Sequence, residues 1–157
     1  MKRDEMYALA LSLAEAKNRQ DVEEALKFLH KDMVLHSPAW GAVARGIEEN
    51  RQLLTHFFNS YPDYTVAFDD HLTNEGTLFG WGIVKMTMSP NASDARGMTP
   101  NGKRITLPVT IRMTFKDGLI ATEHFSCDLA QIATQSGISI DGMWKNVFGT
   151  PPESTTA

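Results

Sequence analysis

At "YPDY", residues 61–64, the hydrophobic period of this chain changes. Before that point apolar residues recur three and four apart; after it they alternate. Residues 4–17 place Met6, Leu9, Ala10, Leu13 and Ala16–Lys17 on one helical face. A second helix is expected from Asp21, where Asp21-Val-Glu-Glu24 fits a capping box and Val22, Ala25, Leu26 and Leu29 turn inward. "DMVLHSP", 32–38, alternates and stops at Pro38, which predicts a short strand, and "AWGAVARG" reads as a glycine-punctuated loop. Gly46 opens a third helix with Ile47, Leu54, Phe57 and Phe58 inward and Glu48–Glu49 in its first turn.

Beyond residue 64, segments 64–72, 77–88, 103–115 and 119–127 read as four strands. "TNEGT" separates the first two, "SPNASDARGMTPNG" (89–102) is a long polar connection, and "KDGL" carries an Asp-Gly hairpin turn. Leu129–Ser136 predicts a short helix ended by Gly137, residues 141–149 one more, and "TPPESTTA" a frayed tail. Helices followed by a mostly antiparallel run of strands make an α+β domain, with a curved sheet wrapped around the helices and a small-molecule concavity at one end.

The totals narrow the function. At 157 residues the chain is expected to be one domain, without internal repeats or a dividing linker. A formal charge of −4 gives no basic footprint for nucleic acid. The N-terminal stretch is broken by Asp4, Glu5, Ser12 and Glu15, so neither a secretory segment nor a membrane span is expected. A lone cysteine, Cys127, permits no intrachain disulfide and suits a reducing compartment, so a soluble cytoplasmic protein is expected. The five histidines show no metal-binding spacing, and no metal is expected.

Several residues invite a functional reading beside a plain one. In "EHFSCD", 123–128, alternation sends His124, Ser126 and Asp128 to one side and Glu123, Phe125 and Cys127 to the other. That polar row is either a wetted surface or a pocket wall. His124 and Asp128 lie roughly 13 Å apart along a strand, so any dyad needs a partner from elsewhere. Asp128-Leu-Ala-Gln131 also fits a helix N-cap. Imidazoles titrate nearest neutral pH, which makes His36 and His124 acid/base candidates; His30, His56 and His71 read as surface. Trp40 sits in a loop and Trp81 between two glycines, a spacing that either admits a ligand or marks a bulge. Tyr61 or Tyr64 offers a hydroxyl, and Arg112 either holds a carboxylate or phenolate or makes a surface ion pair. Methionines, among them Met86, Met88, Met98 and Met113, suit a plastic pocket or simply fill gaps. Cys127, on the apolar side without a base beside it, does not read as a nucleophile.

Four stretches in order carry a family resemblance: "DMVLHSP", "YPDYTVAFDD", "GMTPNGKRITLP" and "FKDGLIATEHFSCDLAQIATQSG". Together they resemble the SnoaL-like polyketide cyclase branch of the nuclear transport factor 2-like superfamily, over residues 4–137, with 138–157 a C-terminal helical extension. The resemblance implies a cone-shaped, mostly antiparallel sheet around the N-terminal helices (the cystatin-like class), a deep pocket, a homodimer and no cofactor. Ketosteroid isomerase chemistry is not implied, because the positions matching its acid/base groups hold Leu13, Ser37 and Ile111. Epoxide hydrolysis fits no better, since "GWGIVKM" (80–86) lacks a carboxylate. Asp128 stands where SnoaL-type cyclases carry an acid/base aspartate, and His36 resembles a pocket-edge histidine of the family. The expected function is therefore cofactor-independent acid/base chemistry, of cyclase, isomerase, dehydratase or lyase type, on an aromatic or polyketide-like substrate. Asp128, His36 and His124 would be catalytic, with Trp40, Tyr61, Trp81, Ser126 and Arg112 binding substrate. The alternative is a non-catalytic binding or dimerisation module of the same fold.

Overall fold

The structure, a computed structural model, describes residues 1–88 and 101–149, and only the backbone of 146–148. Most of the polar connection 89–102, Met98 within it, and the tail from residue 150 lie outside the described residues. The elements run α1 (Arg3–Asn18), α2 (Val22–Leu26), β1 (Leu29–Ser37), a 3-10 turn (Pro38–Trp40), β2 (Ala42–Arg45) and α3 (Gly46–Ser60). They continue with β3 (Thr65–Asn74), β4 (Thr77–Thr87), β5 (Arg104–Lys116), β6 (Leu119–Cys127), α4 (Leu129–Ser136) and α5 (Ile140–Phe148). No helix among the described residues is long and apolar enough to cross a membrane.

The strands form one curved open sheet in the order β2-β1-β6-β5-β4-β3, antiparallel except where β1 runs parallel to β6. Helices α1 and α3 lie against one face of it, and their apolar stripes meet the inward residues of the strands. The core holds Leu13, Met33, Leu78, Met86, Ile105, Leu107, Met113 and Ile120, each essentially inaccessible. On β5 burial alternates strictly from Ile105 to Met113, which leaves Thr106, Pro108, Thr110 and Arg112 on the outer face. The turn after β5 takes positive φ at both Asp117 (51°) and Gly118 (79°), the twist a two-residue hairpin needs.

Three local expectations are corrected. The stretch read as a loop after Pro38 contains β2, because Ala42–Arg45 pairs antiparallel with Val34–Ser37. β1 begins at Leu29, so α2 is shorter than expected and His30 is buried, its Nε2 3.3 Å from Asp117 Oδ2. His71, expected on the surface, is half-buried and stacked on Tyr7 with centroids 3.7 Å apart. The "GWG" puzzle is settled by packing. β3 bulges between Phe68 and Asp70, and the Phe68 ring and the Ala67 backbone fill the space where side chains at 80 and 82 would stand. A Cβ on Gly80 would lie 2.5 Å from the Phe68 ring, and one on Gly82 would collide with the Ala67 carbonyl.

Candidate active site

Between the inner face of the sheet and the helices α1 and α3 lies a cavity whose empty volume, mouth included, is about 620 Å³. Its walls are largely aromatic and aliphatic, with Trp40, Phe57, Phe58 and Phe125 among them. Four polar side chains reach into this apolar space: Lys17, Glu123, Ser37 and Tyr64.

Each arrives by a simple local rule. Met6, Ala10, Leu13 and Lys17 follow one another four, three and four residues apart, so Lys17 ends the buried stripe of α1. Its place in the last turn also suits the negative end of the helix dipole. Past the register shift opposite Thr114 and Phe115, which separates Glu123 from the buried Ile120, the inward parity of β6 belongs to the odd positions, and Glu123 sits in register between Leu35 of β1 and Met113 of β5, both buried. Lys17 Nζ donates to Glu123 Oε1 at 2.7 Å and to Oε2 at 2.8 Å, an ion pair 10% and 2% exposed.

Ser37 is buried, and its hydroxyl finds no hydrogen-bond partner in the protein among the described residues. Such a hydroxyl costs stability unless something else engages it, and it lines the cavity. Burial pushes the Tyr64 phenol far above its ordinary pKa, and the Glu123 charge and Cys127 push the same way. It therefore stays a proton donor at any physiological pH. Burial, then the Asp128 charge, raise the Cys127 thiol to about 11, with the Trp40 side chain pulling the other way. A thiol so placed is inert at neutral pH.

The residues expected to build the site divide between two places. Trp40 lines the cavity, brought there by the 3-10 turn, and packs 6.1 Å from Phe57 and 5.9 Å from Tyr61. Tyr61 is buried behind this aromatic group. Asp128 is exposed, and its Oδ1 accepts the Ala130 N–H at 2.8 Å as the N-cap of α4. His36, His124, Ser126, Arg112 and Trp81 stand on the outer face of the sheet, away from the cavity. The expectation that His124, Ser126 and Asp128 form the cavity wall is thus corrected to Glu123 and Phe125. The reason is parity: Met33 and Leu35 face the core, so their neighbour His36 faces out, and in-register pairing carries His124 out with it. On that face His36 and His124 meet edge to face with ring centroids 4.8 Å apart. Burial, then the charges of His36 and Arg112, hold His124 below the ordinary histidine pKa. Lys17 and Glu123 were legible as charged residues on otherwise apolar faces, the signal that the sequence reading passed over.

Among the described residues no group of three or more His, Cys, Asp or Glu is placed to hold a metal ion. The side chains that reach the cavity suit proton chemistry. Glu123 is a carboxylate able to take a proton, Lys17 a cation beside it, and Ser37 and Tyr64 are hydroxyls able to hold a developing oxyanion.

The family's sequence model, that of the SnoaL-like domain, matches residues 10–123. The chain belongs to the SnoaL-like family. Solved structures of the same fold surround it. TsrD from Streptomyces laurentii is 21% identical with a TM-score of 0.74, covering 88% of this chain and 99% of its own. A candidate polyketide cyclase from Xanthomonas campestris pv. campestris is also 21% identical, with a TM-score of 0.73 over 85% of this chain and 98% of that one. TerC, crystallised with polyporic acid, is 15% identical with a TM-score of 0.69 over 85% and 98%. No curated protein matches the sequence. At these identities the likeness is one of fold, an α+β cone of the nuclear transport factor 2-like kind.

Proposed function

We propose that this SnoaL-like protein is a cofactor-independent enzyme that moves protons on a hydrophobic, carbonyl-bearing substrate of aromatic or polyketide-like character. The observation that carries the reading is the Lys17–Glu123 ion pair, buried yet opening onto an apolar cavity beside the unpartnered Ser37 hydroxyl. Glu123 removes a proton next to the carbonyl. The Lys17 ammonium, freed from its two-pronged contact as Glu123 turns to the substrate, stabilises the enolate oxygen, and the Ser37 and Tyr64 hydroxyls orient it. Aromatic walls such as Trp40, Phe57 and Phe125 favour a flat substrate. The company of the fold supports the same direction, since its neighbours include a candidate polyketide cyclase and TerC with polyporic acid. We further propose a cytoplasmic homodimer, the compartment resting on the single cysteine.

A second reading is a non-catalytic binder, and the fully satisfied geometry of the ion pair favours it. A panel of aromatic ketones and polyketide-like phenols, assayed for binding and turnover, separates the two. Turnover by wild type that collapses in Glu123→Gln while binding persists supports the enzyme. Binding without turnover in either protein rejects it. In Asp128→Asn turnover is expected to survive, because asparagine caps a helix as well as aspartate.

A further inference from the structure

The last turn of α1 is stitched to the start of β3 by two side-chain amides that the proposed chemistry does not use. β3 ends the sheet, so the backbone groups on its free edge have no strand to pair with. Asn18 takes the place of that strand: its Nδ2 donates to the Val66 carbonyl at 2.9 Å, and its Oδ1 accepts the Val66 N–H at 2.7 Å. Two residues on, Gln20 Nε2 donates to the Lys17 carbonyl at 3.2 Å and to the Tyr64 carbonyl at 3.1 Å. One amide thus joins the backbones of Lys17 and Tyr64, two of the polar residues that reach into the cavity.

Gln20 differs from an ordinary helix end in three ways. Its φ is 60°, a left-handed conformation that glycine or asparagine adopts more easily than glutamine. Its backbone N–H already reaches the Lys17 carbonyl at 3.0 Å, so the side chain is not needed to close the helix, and what it adds is the bond to Tyr64. Its NH2 group, the amide's only donor, is turned to the two carbonyls, and the Oε1 left over is buried without a hydrogen-bond partner among the described residues. A strained backbone and an orphaned acceptor therefore meet at one residue, directly behind Lys17 and Tyr64.

We propose that Gln20 is a positioning residue of the Lys17–Glu123 site. It sets the separation of the Lys17 and Tyr64 backbones, and so holds the ammonium on the Glu123 carboxylate and the phenol in the cavity. A lysine carries its charge on a long flexible stem, and a fixed root narrows where that charge can go, here to both Glu123 oxygens at 2.7 and 2.8 Å. A misplacement of about 1 Å at a reacting group costs on the order of a hundredfold in rate. The apolar walls that would hold a substrate, Trp40, Phe57 and Phe125 among them, lie on other elements. Losing the clamp is therefore expected to show in kcat and not in KM. The effect on turnover rests on the acid/base reading; the effect on the Lys17–Glu123 contact does not.

The test compares wild type with Gln20→Gly and Gln20→Asn. Glycine relieves the left-handed φ as it removes the amide, which keeps the fold; asparagine suits the same φ, and its amide is one methylene short of Tyr64. Each protein is unfolded in urea, assayed on the panel of aromatic ketones and phenols, and labelled with trace acetic anhydride. Mass spectrometry then reads the acetylation of each lysine. In both variants stability is expected to stay close to wild type, and Lys17 to acetylate several-fold faster relative to the exposed Lys27 and Lys31. Alongside, kcat is expected to fall about tenfold or more with KM kept. Asn18→Ala, which cuts the neighbouring stitch and leaves the Gln20 amide in place, is expected to lose stability with Lys17 labelling and kcat kept. Lys17 labelling and kcat unchanged in both Gln20 variants overturn the proposal. So does a change that follows lost stability and appears equally in Asn18→Ala. If wild type turns over nothing on the panel, the acid/base reading falls and the labelling alone decides for or against the clamp.

Discussion

The Lys17–Glu123 pair allows a sharp test of what the cavity is for. Its heavy atoms are 2.7 and 2.8 Å apart, and the side chains are 10% and 2% exposed, so solvent screens it little. At a charge separation of ~3 Å and an effective dielectric of ~20, Coulomb's law gives about 5 kcal/mol of attraction. Removing two charges from water costs several kcal/mol each, so the pair as a whole comes close to breaking even. Breaking it is different, because one charge is then left buried without a partner. Lys17→Met or Glu123→Leu alone is therefore expected to lose about 3–5 kcal/mol. For a chain of this size that lowers the melting temperature by roughly 10 °C. The double variant Lys17→Met/Glu123→Leu, similar in volume and wholly apolar, is expected within about 1 kcal/mol of wild type or above it. Urea unfolding of the four proteins, with slopes compared to confirm a common unfolded state, measures the cycle. Single losses below about 1 kcal/mol that simply add would refute the reasoning, since the pair would then be solvated and not a dry polar floor. A double variant that is stable but inert in the substrate panel would show that the pair is kept for chemistry at no gain in stability.

Three further outcomes follow from the same geometry. Gly82→Ala is expected to cost about 3 kcal/mol in urea unfolding, because its Cβ meets the rigid Ala67 carbonyl of the bulge; a near-neutral change would mean that the bulge is not there. Asp128→Ala should lose about 1 kcal/mol and Asp128→Asn almost nothing, the pattern of an N-cap and not of a buried charge. Cys127, with its thiol raised to about 11, should react with a maleimide far more slowly at pH 8 than a free thiol. Its sign in stability is also set: above pH 9 the unfolded thiol ionises while the folded one does not, so stability falls with rising pH until about 11. Rapid labelling of the native protein at pH 8 would contradict that placement.

How far the fold and the site can be read without coordinates depends on how local the signal is. The change of period at residues 61–64, the Asp21 cap, the Asp117-Gly118 turn and the Gly137 stop each act within a few residues, and each appears where the sequence placed it. The short strand β2 was missed because four residues carry too little period to stand out from a glycine-bounded loop. The parallel pairing of β1 with β6 leaves no mark either, since from Met33 on β1 alternates as an antiparallel strand does.

By itself, then, the sequence determined most of the helices and strands in order, with their caps and turns; the bulges that shift residues between faces within β3 and β6 were not legible in it. Only the tertiary structure decided which face of β6 looks inward. Both parities of "EHFSCD" carry a charged or titratable group, Glu123 on one side and His124 on the other, so alternation alone is symmetric between them. The symmetry is broken by Lys17, 106 residues away, whose helix covers the Glu123 side and supplies the one partner that lets a carboxylate stay buried. A carboxylate kept from water needs donors or an opposite charge held against it, and here the ammonium contact exists only once the chain has closed.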